Sequence, residues 1–209
     1  MKELILVRHG LAQHLVNGLT GGWTNSHLTE LGRLQSVQTG ERLSKLLSGL
    51  LIELYSSDFH RARETAEIFG KALAIQPVLV AALRDVNNGI AANRLRAEAE
   101  KLRLPMTQPL MDWIPFAEAE SWRMMMKRAA GFLSGLMERD ADAVILVTHR
   151  NVISAIVQWW LQLSEELIST TDFESDPCSL TRLTVAYWGG RTVIKVNDTA
   201  HLENLESRL

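Results

Sequence analysis

The chain has 209 residues and a formal net charge of −2 at pH 7, from 22 Lys and Arg against 24 Asp and Glu. Its composition, 46% apolar and 22% charged, excludes an intrinsically disordered chain, and the near-neutral balance excludes a global attraction to nucleic acid or an anionic membrane. The lone cysteine, Cys178, excludes an intrachain disulfide and a Cys-cluster zinc site, and no apolar run approaches the ~18 residues of a membrane span. The opening stretch MKELILVRHG is too short in apolar residues for a signal peptide. These features predict a cytoplasmic chain forming one domain over residues 1–209. Of the 22 basic residues, 16 are Arg and six are Lys. The placement of the arginines matters, because Arg is the better fork for phosphate and carboxylate.

Residues 4–7 form a continuous apolar run that breaks at Arg8-His9-Gly10, which predicts a buried strand, parallel to its neighbours. An apolar stripe over residues 31–47, behind the N-cap Thr29, predicts a helix. A weaker strand at 51–55 ends in Ser56-Ser57-Asp58, and a helix follows over 61–73. A short strand at 78–80, entered through Pro77, leads to Leu83-Arg84-Asp85. A charged helix is predicted over 92–102. Residues 105–115, with three prolines and no clear period, read as a loop or insertion. The segment 86–120 is thereby expected to form a lid. A helix over 121–137 carries Trp122, Met125, Ala129, Leu133 and Leu136 at helical spacing. A second buried strand, 143–147, breaks at Thr148-His149 and is followed by an apolar helix over 152–163. The runs 183–188 and 192–196 flank Gly189-Gly190-Arg191 and predict a hairpin. Alternating strands and helices predict an α/β sandwich with a mostly parallel sheet.

Ligands of open α/β sheets bind beyond the carboxyl ends of the strands. Two strands here end in histidine at that edge, His9 and His149. A third is followed by a loop entering a helix at Arg61, and a fourth by Asp85. If these ends converge, the pocket holds two histidines, several arginines and an acid. Paired guanidiniums favour a dianion such as phosphate, and a helix N-terminus near Arg61 adds backbone donors. A histidine there can attack phosphorus while a carboxylic acid protonates the departing oxygen. Arginines can carry the electrostatic load, so no metal and no cofactor is expected.

The motif series resembles the histidine phosphatase superfamily, also called phosphoglycerate mutase-like. Leu6-Val7-Arg8-His9-Gly10 is similar to its signature. Gly22-Trp23 followed by Leu28-Thr29-Glu30-Leu31-Gly32 and Gln35 is similar to its "GW…LTxxGxxQ" stretch. Ser56-Ser57-Asp58-Phe59-His60-Arg61-Ala62 resembles its "SSDLxRA" segment, Leu83-Arg84-Asp85 its "LRE", Glu120-Ser121 its "ES" and Val147-Thr148-His149 its "VTH". Cys178-Ser179-Leu180-Thr181 is similar to its late "SIT" segment. The order and spacing hold across nearly the whole chain.

This resemblance implies a three-layer α/β/α sandwich and a metal-free reaction on a small phosphorylated substrate, in a monomer or homodimer. It implies His9 as nucleophile, Arg8 and Arg61 on the phosphoryl oxygens, His149 as the second pocket histidine and Asp85 at the general acid position. Asn17, Gly22, Trp23 and Arg150 are the further substrate-binding residues expected. Several positions depart from the family pattern. Asp85 is one methylene shorter than the usual Glu, which leaves Glu118 and Glu120 as alternative acids. Ala12 replaces a Thr, Asn17 is displaced, and Arg150-Asn151 follows the second histidine where many members have Gly. His14, His27, His60 and His201 read as exposed or hydrogen-bonded rather than catalytic, and Trp159-Trp160 as core or a subunit contact.

Three functions compete: a phosphomonoesterase working through phosphohistidine, a mutase passing the phosphoryl group to another hydroxyl, and a non-enzymatic phospho-ligand binder. The short chain, with no Lys or Arg in residues 105–115, favours the phosphatase.

Overall fold

The computed structural model describes residues 1–206. Six strands form one sheet: β1 (Glu3–Arg8), β2 (Ile52–Ser56), β3 (Val78–Leu79), β4 (Ala143–Thr148), β5 (Leu180–Val185) and β6 (Arg191–Asp198). Their spatial order is β3-β2-β4-β1-β5-β6. The first four are mutually parallel, and β5 and β6 add an antiparallel edge. The helices are α1 (Gln13–Val16), α2 (Glu30–Leu46), α3 (His60–Leu73), α4 (Arg96–Glu100), α5 (Trp122–Met137), α6 (Arg150–Trp160), α7 (Glu165–Ile168) and α8 (Glu203–Glu206). No helix among the described residues is long and apolar enough to cross a membrane.

The apolar runs of β1 and β4 are continuous because both faces of the sheet are covered. Leu4, Leu6, Val144 and Leu146 point into one cluster with Met125, Leu133, Ile153 and Trp160 from α5 and α6. Ile5, Val7, Ile145 and Val147 point into the opposite cluster with Leu43, Ala62, Ala66 and Phe69 from α2 and α3. This alternation produces the three layers. Each fully buried Leu, Ile or Val side chain among these stabilises the fold by about 1.5–3 kcal/mol.

Thr29 caps α2 as expected, its hydroxyl accepting from the Gly32 N–H at 3.0 Å. Gly32 is required there because a Cβ would sit 2.1 Å from the Leu11 carbonyl oxygen. The loop leaving β1 therefore lies directly on the start of α2.

Some expectations are corrected. The strand at 78–80 shrinks to two exposed residues at the sheet edge, where little packing extends it. The helix at 92–102 narrows to Arg96–Glu100. Residues 105–115 form a loop as expected, with a single 3-10 turn, Leu110–Asp112. The segment 86–120 has its own small core of Ala91, Ala99, Phe116 and Ala119. Trp160 is an intramolecular core residue, with the Arg191 guanidinium 5.5 Å from its ring.

Candidate active site

Parallel register aligns the functional ends of the strands. Arg8 of β1 pairs with Thr148 of β4, so the next residues, His9 and His149, emerge side by side. Their ring centroids are 5.2 Å apart. Ser56 of β2 pairs with Val147, which brings Ser57 to the same edge, and its hydroxyl lies 2.9 Å from His149 Nε2.

His9 is 3% exposed and its tautomer follows from its neighbours. Nδ1 lies 2.8 Å from the Gly10 carbonyl, which only accepts, so Nδ1 carries the proton. Nε2 therefore holds the free lone pair, and the Arg61 Nε–H donates to it at 3.1 Å. Arg61 is fully buried at the first turn of α3. Its remaining donors reach the Thr24 carbonyl at 2.6 Å and the Gly22 carbonyl at 2.8 Å. Burial pushes the Arg61 pKa down to about 10, opposed by Asp85. Arg8 donates to the Ser175 carbonyl at 2.6 Å, while its buried Nε has no partner among the described residues. The buried His149 Nδ1 also lacks a partner among them.

Asp85 closes the site from the loop after β3, only 7% exposed. Its Oδ2 is 3.9 Å from Arg61 Nη2. Its Oδ1 accepts from the Val86 N–H at 2.9 Å and the Asn151 amide at 3.1 Å. Arg128 of α5 stiffens this loop by donating to the carbonyls of Ala82, Arg84 and Asp85.

The alternative acids are placed differently. Both Glu120 oxygens bind Arg128, at 3.0 and 2.9 Å, and Oε2 also accepts from the Asn87 N–H. Burial raises its pKa, but these hydrogen bonds outweigh it and the net shift is downward. Glu118 is an exposed residue on a left-handed turn, φ +62°.

The expected binding residues divide. Gly22 and Trp23 lie against Arg61 and Asp85. Trp23 Nε1 donates to the Asp85 carbonyl at 2.9 Å, and its ring packs edge-on to Phe59 at 6.0 Å, so it is a fixed wall. Asn17 is exposed at the end of α1, and its side chain makes no hydrogen bond to the residues above. Arg150 is ion-paired with Asp172 at 2.5 Å and Glu174 at 2.6 Å.

Gly22 has φ +58°, and a Cβ there would lie 2.5 Å from Asn88 Oδ1 and 2.8 Å from the Val86 carbonyl. Asn88 Oδ1 in turn accepts from the Trp23 N–H at 2.9 Å. Gly22→Ala is expected to destabilise the protein by about 1–3 kcal/mol, read as a Tm several degrees lower. An unchanged Tm would show that this loop yields freely.

His14 is the residue whose position the sequence understated. It is buried, its ring centroid 6.1 Å from that of His9, and its Nδ1 pairs with the Ser26 hydroxyl at 2.7 Å. A Cβ built on Gly21 would be 3.8 Å from both His14 Nε2 and Asp85 Oδ2, so both atoms border one small volume. Its signal was present but weak: a histidine in the loop that follows a functional strand end. Ser57, Asn88, Arg128 and Asn151 were also missed as supports. They act through contacts between distant segments, which local pattern does not report.

The electrostatics keep these rings neutral. Burial first, then Arg61 and Arg8, hold His9 well below its usual range. Burial and then Arg61 do the same to His149. Burial, Arg61 and Arg8 push His14 down to about 3. Each folded-state pKa lies below the unfolded value of about 6.5, so the unfolded chain binds protons that the folded chain does not. Stability is full above about pH 6.5 and falls as pH drops, each histidine adding up to about 1.4 kcal/mol per pH unit to the slope. Thermal melts should show Tm declining steadily from pH 7 to 4.5. A flat profile would mean that these rings are protonated in the fold.

Comparison with known proteins follows the same lines. A family model described as the histidine phosphatase superfamily (branch 1) matches residues 4–199. A probable phosphoglycerate mutase GpmB of Citrobacter koseri is 30% identical over 169 residues, covering 78% of this chain and 76% of that protein. The corresponding protein of Klebsiella pneumoniae subsp. pneumoniae is 28% identical, covering 97% and 96%. Among solved structures, a mycobacterial glucosyl-3-phosphoglycerate phosphatase complexed with VO3 superposes with a TM-score of 0.81 at 23% identity, covering 95% of this chain and 100% of that one. Bacillus stearothermophilus YhfR gives a TM-score of 0.80 at 24% identity, covering 97% and 100%.

Proposed function

The chain belongs to the histidine phosphatase superfamily, and we propose that within it the protein is a phosphomonoesterase that forms a phosphohistidine on His9. The observation that carries this reading is the setting of His9: Nδ1 against the Gly10 carbonyl and Nε2 beside the Arg61 Nε–H, in a buried site whose desolvation and arginines favour the neutral ring. A phosphate ester dianion entering the site draws the Arg61 and Arg8 guanidiniums onto its oxygens. The contact between Arg61 and Nε2 breaks, and the nucleophile is released by the substrate itself. The unpartnered Arg8 Nε and His149 Nδ1 are donors suited to the remaining oxygens. For His149 this requires the Ser57 hydroxyl to donate to Nε2, which leaves the ring proton on Nδ1. His14 Nε2 borders the same volume as Asp85 and is a further neutral partner for bound oxygen.

His9 Nε2 attacks phosphorus, the P–O bond to the alcohol breaks, and Asp85 as the acid gives its proton to the leaving oxygen. Water then attacks the phosphohistidine, the Asp85 carboxylate takes its proton, and inorganic phosphate and neutral His9 are regenerated. The arginines stabilise the charge that gathers on the equatorial oxygens. Asp85 is preferred over Glu120, whose oxygens are held by Arg128, and over the exposed Glu118.

The relatives named as phosphoglycerate mutases favour a second reading, transfer of the phosphoryl group back to a phosphoglycerate. A bisphosphorylated intermediate needs cations to retain it, and residues 105–115 contain no Lys or Arg. Assay of 3-phosphoglycerate separates the two. Release of inorganic phosphate is the expected result for hydrolysis, and conversion to 2-phosphoglycerate without free phosphate would establish the mutase.

A further inference from the structure

Beside Asp85 lies a cavity of about 420 Å³, within the size range of small-molecule sites. Val86 and Asn151 line it, and both hydrogen-bond Asp85 Oδ1. The cavity therefore begins one residue away from the group assigned to protonate the leaving alcohol. Much of its wall is apolar: Met106, Leu110, Met111, Trp113 and Ile168. Met111 is 4% exposed and forms a fixed part of that wall, whereas Met106 is 64% exposed and can adapt to a ligand. Trp113 is oriented by donating from Nε1 to the Pro105 carbonyl at 3.0 Å.

The charges in this wall are already compensated. Among the described residues, Arg150 is its single cation, and Glu174 grips it at both Nε (2.9 Å) and Nη2 (2.6 Å) while Asp172 holds Nη2. Asp172 itself accepts from the Ser154 hydroxyl at 2.7 Å, and Glu120 is held by Arg128. A second anionic group on the substrate would meet carboxylates here and find no free guanidinium. Burying a charge without a partner is costly, whereas an apolar body gains from the same wall.

We infer that this cavity receives the alcohol part of the substrate, and that this alcohol is uncharged with an aryl or alkyl body rather than a carboxylate or second phosphate. The inference rests on the hydrolytic reading above and names its substrate class. It separates this chain from the phosphoglycerate chemistry in its relatives' names.

The test compares two primary alkyl phosphates of similar leaving-group chemistry, 2-(1-naphthyl)ethyl phosphate and 3-phosphoglycerate, with ethyl phosphate as the minimal ester. In parallel, calorimetry measures binding of 1-naphthylmethylphosphonate and methylphosphonate. The expected result is a kcat/KM for the naphthyl ester at least about tenfold above that for 3-phosphoglycerate, and tighter binding of the naphthyl phosphonate. Glu174→Gln, at an exposed position, and the double variant with Asp172→Asn loosen Arg150. They should shift the ratio toward 3-phosphoglycerate by about tenfold. Equal or better hydrolysis of 3-phosphoglycerate by the unaltered protein, or a ratio unmoved in both variants, overturns the inference and leaves the phosphatase reading intact. No phosphate release from any of the three esters overturns the phosphatase reading instead. Calorimetry then decides the cavity: tighter binding of the naphthyl phosphonate upholds an apolar site, and equal binding of the two phosphonates refutes it.

Discussion

His9→Ala is expected to lower phosphate release from p-nitrophenyl phosphate by at least about 10⁴-fold, the scale on which removing a nucleophile acts in other covalent hydrolases. The reason is specific to this position. His9 supplies a neutral nitrogen whose lone pair needs no deprotonation, because burial and two arginines keep the ring uncharged. His149 is unsuited to replace it, because its Nε2 is engaged by Ser57. A rapid-quench experiment should trap a phosphoenzyme that is labile in acid and stable in alkali, and it should be absent from the variant. Phosphate release should persist in EDTA. Activity surviving in His9→Ala would reject the nucleophile, and a strict need for an added divalent ion would reject the proposed metal-free mechanism.

Asp85→Asn carries the second large effect, and its size should depend on the leaving group. An alkoxide must be protonated as the P–O bond breaks, whereas 4-nitrophenolate leaves without help. Slowing of about 10²–10⁴-fold is expected on ethyl phosphate, against less than about tenfold on p-nitrophenyl phosphate. Asn retains an oxygen to accept from the Val86 N–H, so the loop keeps its local bond. Arg128 continues to hold the backbone carbonyl of residue 85. A loss of activity through misfolding would slow both esters alike, so the ratio isolates the proton. Equal slowing would move the acid role away from Asp85, with Glu118 as the next group to test.

The parts of this protein legible in sequence are those set by short-range rules. Residues 4–7 and 143–147 read as buried strands because apolar runs of that length, broken by polar residues, suit a sheet covered on both faces. Thr29 read as a cap because its hydroxyl answers the N–H three residues on. His9, Arg61, Asp85 and His149 stood out because each sits just past a strand end or at a helix start, where a parallel sheet gathers its ligand groups. The exposed two-residue β3 and the short α4 were overread, since a pattern cannot report how little tertiary packing supports it.

The sequence by itself thus determined the fold class, the edge of the sheet at which the candidate groups gather and the chemical types assembled there. Those properties depend on periodicity, chain order and residue identity. Only the tertiary structure decided which charges are free. Arg150 stands between Asp172 and Glu174, and both oxygens of Glu120 face Arg128, pairings that no local pattern announces. His14 looked ordinary until the loop after β1 folded it in beside His9. Charge compensation and burial arise between segments far apart in the chain, and only once those segments met did Arg8 and Arg61 separate from loop supports such as Arg128 and paired groups such as Arg150.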